Sequence, residues 1–271
     1  MLKRVAVVAC VLFYAGSCFA QVAGNTSDPK IPYGPGIANL QASGIGPIKA
    51  SFDVDWVFDK DLDGEGSVTS AESEGQRYLL RLGYTIADRF EPYIKLGTSH
   101  LKASWNQAGT QAKARGEDGF AFGVGARGLL YDIPEHRIRF SMDAQYLYTD
   151  PGVKNAHIEG SERSVSASEF KVSEWQIAGI VSMEFVMNGD KSNPATPYSV
   201  IPYLGLAYAD SKTDVKFTSL GTNYDIGDVG SKDKFVFLTG CDITAPENIS
   251  INVEGRWIGE TAASGGCTLK F

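Results

Sequence analysis

The sequence predicts an all-β chain, folded as a closed antiparallel barrel that crosses a membrane with about ten strands, within a range of eight to twelve. Three observations predict it. Apolar residues occupy every second position in ten separate segments, several of them as long as a strand needs to cross a bilayer. No run of about 18 apolar residues offers a spanning helix, and only a helix or an edgeless sheet satisfies every backbone group inside lipid. The connections between segments alternate between long, polar ones and short ones.

The elements follow in chain order. Residues 1–20 carry Lys3 and Arg4, an apolar run from Val5 to Ala15, and small residues up to Cys18-Phe19-Ala20, which reads as a signal peptide cleaved after Ala20. Acylation at Cys18 would need Leu three residues upstream, where this chain has Ala15. Residues 21–46 hold Pro29, Pro32, Gly34, Pro35 and Gly36 without any period, and read as a flexible periplasmic leader. Residues 47–271 are the barrel.

The first strand sets Ile48, Ala50, Phe52, Val54, Trp56 and Phe58 against Lys49, Ser51, Asp53 and Asp55. The second sets Tyr78, Leu80, Leu82 and Tyr84 against Arg77 and Arg81, and the third sets Ile94 and Leu96 against Lys95 and Ser99. Phe120, Phe122 and Val124 oppose Arg127; Ile138, Phe140, Met142 and Tyr146 oppose Arg139 and Asp143; Trp175, Ile177 and Val181 oppose Glu174 and Glu184. Segments 201–213, 234–243, 248–260 and 262–271 complete the ten. An even count puts both ends of the barrel on one side, the periplasmic one. The long external connections lie near 59–75, 104–118, 150–168 and 211–233, and the short turns at Ala87–Glu91, Asp132–His136 and Thr244–Asn248. The turn 188–199 is longer than this scheme expects, and the last external loop, 260–264, is brief.

The Pro-Tyr strand starts Pro92-Tyr93 and Pro202-Tyr203, the Gly-rich strand Gly119–Gly125, the segment Asp242–Ser250 and the alternating end Cys267, Leu269, Phe271 resemble the small outer-membrane β-barrel proteins of the OmpA-like, opacity-porin type. That family is mostly eight-stranded, so ten is a departure from it. The resemblance implies a bacterial outer-membrane location and lipid and lipopolysaccharide as neighbours. It also implies a barrel assembly machinery that reads the C-terminal strand through Phe271.

Charge and composition exclude other classes. Removing the signal takes the net charge from −7 to −9, which argues against nucleic acid as a partner and leaves no polybasic patch. Gly123-Val124-Gly125-Ala126-Arg127-Gly128 matches a dinucleotide fingerprint letter for letter. That fingerprint needs a strand-to-helix turn, and these glycines sit inside an alternating strand. Cys241 and Cys267 fall one strand apart, as two lone lipid-facing thiols.

Candidate site residues are of two kinds. Asp59, Asp61, Asp63 and Gly64 copy the first half of a calcium loop, but the eighth position is Gly66 and the twelfth is Ser70 instead of Glu, so only a weak Ca2+ site is expected and no other cofactor. The inward faces supply a charged lining: Arg77, Arg81, Lys95, Arg127, Arg139, Asp143, Glu174, Glu184, Glu254 and Arg256. This lining reads either as an ion-paired closed core or as the wall of a narrow pore. The expected role is structural or surface-interactive through the external loops, without enzyme chemistry, for an extracellular ligand the sequence leaves unnamed. The alternative is a small passive channel. A rim hydrolase using His100 or His157 beside Asp53, Asp55 or Asp150 comes third, because no motif locks those groups together.

Overall fold

The structure is a computed structural model and describes residues 48–64, 68–187, 198–227, 229–245 and 248–271. The signal peptide and the whole leader lie outside the described residues, as does most of the long turn 188–199. Ten strands form the barrel wall: β1 Ile48–Asp59, β2 Val68–Tyr84, β3 Phe90–Gln107, β4 Gly119–Ile133, β5 Ile138–Asp150, β6 Ser166–Met183, β7 Tyr198–Ser219, β8 Phe235–Thr244, β9 Ile249–Trp257 and β10 Thr261–Lys270. Each pairs antiparallel with the next, and β1 pairs with β10 from Lys49↔Lys270 to Asp59↔Thr261, so the sheet closes without an edge. Phe271 N donates to Ile48 O at 2.8 Å, fastening the end of β10 to the start of β1.

Closure follows from the alternation. On the outer wall, Phe52, Leu80, Ile94, Phe120, Met142, Ile177, Leu206 and Ile251 are exposed, whereas their inward neighbours Asp53, Arg81, Lys95 and Asp143 are buried. Apolar outside and charged inside is the inverse of a water-soluble protein, and it is stable only where the outer solvent is lipid. Cys241 on β8 and Cys267 on β10 are free thiols with β9 between them, as the strand map expects.

Strand length sets the shape. A barrel strand crosses the hydrocarbon in about 9–11 residues. The strands β8, β9 and β10 have 10, 9 and 10 residues, but β2, β3, β6 and β7 have 17, 18, 18 and 22. The surplus stands beyond the membrane, on the side away from Phe271, as a tall crown along one flank of the barrel.

The crown gives the long connections expected on that side a regular structure. Three of them are two-residue hairpins, turning at Ala108-Gly109, Glu159-Gly160 and Leu220-Gly221. Both central residues of each have positive φ, as a type I′ hairpin requires. The returning segments Thr110–Gly116, Ser161–Arg163 and Thr222–Asp225 and the outgoing Val153–Ile158, which pairs with Thr110–Gly116, keep the ladder going, and Asp61–Asp63 pairs with both β2 and Val229–Ser231.

Candidate functional site: the bore and its crown

From the Phe271 end upward, the bore is filled by layers of side chains. In the lowest layer Glu91 joins two strands at once: Lys49 Nζ lies 2.8 Å from it and Arg127 Nη2 donates to it at 2.5 Å, with Thr85 Oγ1 donating at 3.3 Å. All four are buried. Arg139 and Glu184 sit beside this layer at the rim of the bore on the same end, only partly buried, and pair at 2.9 Å.

The middle layer is organised by the two repeated tyrosines. Tyr93 Oη donates to Asp143 at 2.9 Å, with the cations of Arg81 and Lys95 placed over its ring at 5.7 and 5.6 Å. Lys95 Nζ donates to Gln145 at 2.6 Å, and Arg81 faces Asp53 at 3.7 Å. Across the bore Tyr203 Oη donates to Glu254 at 3.0 Å and accepts from Asn252, which also donates to Asp242. Each ring lies over a glycine directly opposite on the next strand, Tyr93 over Gly125 and Tyr203 over Gly240. A Cβ on Gly125 would lie 2.5 Å from the Tyr93 ring, and one on Gly240 would meet Tyr203 closer still. Of the fingerprint-like glycines, Gly125 makes room for a tyrosine, and no helix follows them among the described residues.

The third layer is an ion chain. Arg256 Nη2 donates to Asp55 at 2.6 Å and Nη1 to Glu254 at 3.3 Å; Arg77 spans from Asp55, at 3.8 Å, to Glu174, at 2.6 Å; Lys60 Nζ donates to Glu174 at 3.1 Å. Glu260 is buried nearby. Such a chain is tolerated because each charge has an opposite neighbour at contact.

Above it the inward face turns apolar. Val57, Leu101, Ala103, Trp105, Ala112, Ala114, Phe170, Val172, Val215 and Phe217 form one buried cluster, with the Trp105 and Phe217 rings packed edge to face at 5.9 Å. The apolar parity has inverted. In β3 the apolar residues move from Ile94 and Leu96, facing out, to Leu101, Ala103 and Trp105, facing in. The strand keeps its period of two, and only the outer solvent changes, from lipid to water.

Of the ten predicted lining residues, eight are buried in the bore, and Arg139 and Glu184 are at its rim. Sequence reasoning missed Glu91, Lys60 and Glu260, which it assigned to connections, and Tyr93 and Tyr203, which look like belt aromatics after a proline. Counting parity backwards from Lys95 would have turned Tyr93 and Glu91 inward.

Asp61 and Asp63 lie on the outward side of an extended strand whose Leu62 is buried in the apolar cluster, and Asp61 takes a hydrogen bond from Lys232 at 3.2 Å. Successive carboxylates on such a strand stand about 7 Å apart. Among the described residues no three carboxylate, thiol or imidazole groups gather as a metal site. His100 pairs with Asp118, at 3.1 Å, on the outer wall, away from Asp53 and Asp55 in the bore.

Fold and site together define a transmembrane β-barrel whose bore is filled at every level. No family model matches the sequence, and no curated protein matches it. Solved structures similar to it include the translocator domain of the autotransporter NalP from Neisseria meningitidis (10% identity, 99% of this chain and 93% of that one, TM-score 0.42). Two others are the outer membrane protein OprG from Pseudomonas aeruginosa (9%, 84% and 96%, 0.39) and the transport unit of the autotransporter AIDA-I from Escherichia coli (11%, 83% and 89%, 0.39).

Proposed function

We propose that this protein is a sealed β-barrel of the bacterial outer membrane, with a structural and surface-interaction role carried by its hairpin crown. One observation carries the reading: two different barriers stand in series in the bore. The lower is a cross-linked lattice of charged side chains, and the upper is a dry apolar cluster centred on Trp105. An ion would have to break buried ion pairs and then enter a core that offers it no hydrogen bond.

The reading keeps Phe271 as the signal for assembly, and outer-leaflet lipid and lipopolysaccharide as the neighbours of the wall. The crown, rigid and β-structured, supplies the surface for an extracellular partner. Planar-bilayer recording tests it: the purified, refolded protein should raise no stable single-channel steps. Steps whose amplitude changes when Arg81 or Arg127 is replaced would establish a small passive channel instead.

A further inference from the structure

We infer that the outer wall above the membrane belt carries a binding site for a phosphorylated lipid of the outer leaflet, built from Lys102, Lys113, Arg115 and His100 over Trp56 and Phe58. The register brings the cations together: Lys102 is opposite Arg115 and Ser104 is opposite Lys113 across the β3 hairpin, and Gln76 is opposite His100 across β2. All four point outward, because the alternate residues Leu101, Ala103, Ala112 and Ala114 fill the crown core.

Their charge is incompletely matched. Elsewhere on the crown Lys171, Lys216, Lys232 and Lys234 each hold a carboxylate of their own, Glu169, Asp214, Asp61 and Asp210. Here Lys102 and Lys113 share the carboxylate of Glu74, at 3.0 and 3.2 Å, with Glu72 near Lys113. Arg115 has no carboxylate within ion-pair distance among the described residues. Its Nε donates to His100 Nε2 at 3.4 Å, while His100 Nδ1 faces Asp118 at 3.1 Å. Arg115 is thus the cation of this cluster left open to an incoming anion, with Lys102 and Lys113 beside it.

The shape selects the occupant. A groove of about 450 Å³ runs from the aromatic rings of Trp56 and Phe58 up to Lys102 and Arg115, and a second of about 420 Å³ continues past Lys113 to His157. Both fall within the ~300–1,000 Å³ of small-ligand clefts. The lower end lies in the aromatic band at the lipid boundary, and the upper end lies in water. A molecule with acyl chains below and phosphate above fits both ends; Arg and Lys supply the charge-assisted donors that phosphate oxygens accept.

The site rests on the outer-membrane reading, and the test separates the two. Wild type and the K102Q/K113Q/R115Q variant are refolded in detergent, and native mass spectrometry follows retention of bisphosphorylated lipid A, its monophosphorylated form and phosphatidylcholine. Wild type should retain the bisphosphorylated lipid preferentially, with an apparent dissociation constant that the triple variant raises at least tenfold and the control K171Q/K216Q leaves alone. Weakening of wild-type binding as ammonium acetate is raised supports the same site without any substitution. Equal retention of phosphatidylcholine, unchanged binding by the triple variant, or full displacement by millimolar inorganic phosphate would overturn it. A folded, heat-modifiable band in SDS in all variants keeps the barrel reading standing whatever the lipid result.

Discussion

Glu91 holds the largest local consequence for one side chain, because two cations on two other strands, Lys49 and Arg127, meet at its carboxylate. Removing one partner from a buried pair costs about 3–5 kcal/mol, since the remaining charge is left uncompensated. Glu91→Gln keeps the volume but removes the carboxylate that both cations contact, so its SDS-resistant form should unfold at clearly lower temperature than wild type, measured by the gel shift on heating. A wild-type transition would mean that the lowest layer is slack. The tyrosine-on-glycine pairs make a second expectation. Gly125→Ala drives a methyl into the Tyr93 ring and should destabilise by about 1–3 kcal/mol, and adding Tyr93→Ala should make the alanine nearly neutral, a coupling that a double-mutant cycle reads. At this scale Lys95, Arg127 and Asp143 were legible, because a charge in an apolar-alternating strand has only one face to occupy. Tyr93 was not: an aromatic belongs equally to a lipid belt and to a polar core, and its hydroxyl partner lies 50 residues away in sequence.

Among the elements, the crown hairpins separate what the sequence shows from what it hides. The ten spanning strands were legible because lipid outside and charge inside give every one of them the same contrast. The hairpins were hidden for two reasons. Their turns are Ala-Gly, Glu-Gly and Leu-Gly, whereas the strong sequence signals are Asn-Gly and Asp-Gly, whose first residue tolerates positive φ readily. Their strands also carry the apolar set on the opposite parity, so a search for one continuous greasy face loses them at the lipid boundary. Trp105 tests whether the crown is a folded core: it is buried against Phe217, and Trp105→Ala should cost about 3–5 kcal/mol. The loss should appear as protease cleavage near Gly109 and Gly160 while the membrane strands remain protected. Cleavage that spreads through the strands would show that crown and barrel fold as one unit.

For the whole molecule, the two barriers make conductance a question of series resistance. Opening only one of them should leave the protein silent. Trp105→Ala with Phe217→Ala loosens the apolar cluster, but the ion chain from Arg256 through Asp55 and Arg77 to Glu174 still crosses the bore below it. Asp55→Ser with Arg256→Ser removes both members of one pair, which leaves fewer orphaned charges than removing either alone, and the apolar cluster above remains dry. Only the fourfold variant that also carries Glu91→Ser and Tyr93→Ser, which open the two layers below, should produce single-channel steps in a planar bilayer. Its pore would be lined by Lys95, Arg81 and Asp143 at the middle layer, so its ion preference should shift when Lys95 is replaced. Steps from the Trp105/Phe217 pair alone would mean that the charged lattice conducts and that the crown is its gate, and steps from the Asp55/Arg256 pair alone would mean that the apolar cluster is leaky. Either result would move the protein from a sealed scaffold to a channel with one barrier, and the recording would say which.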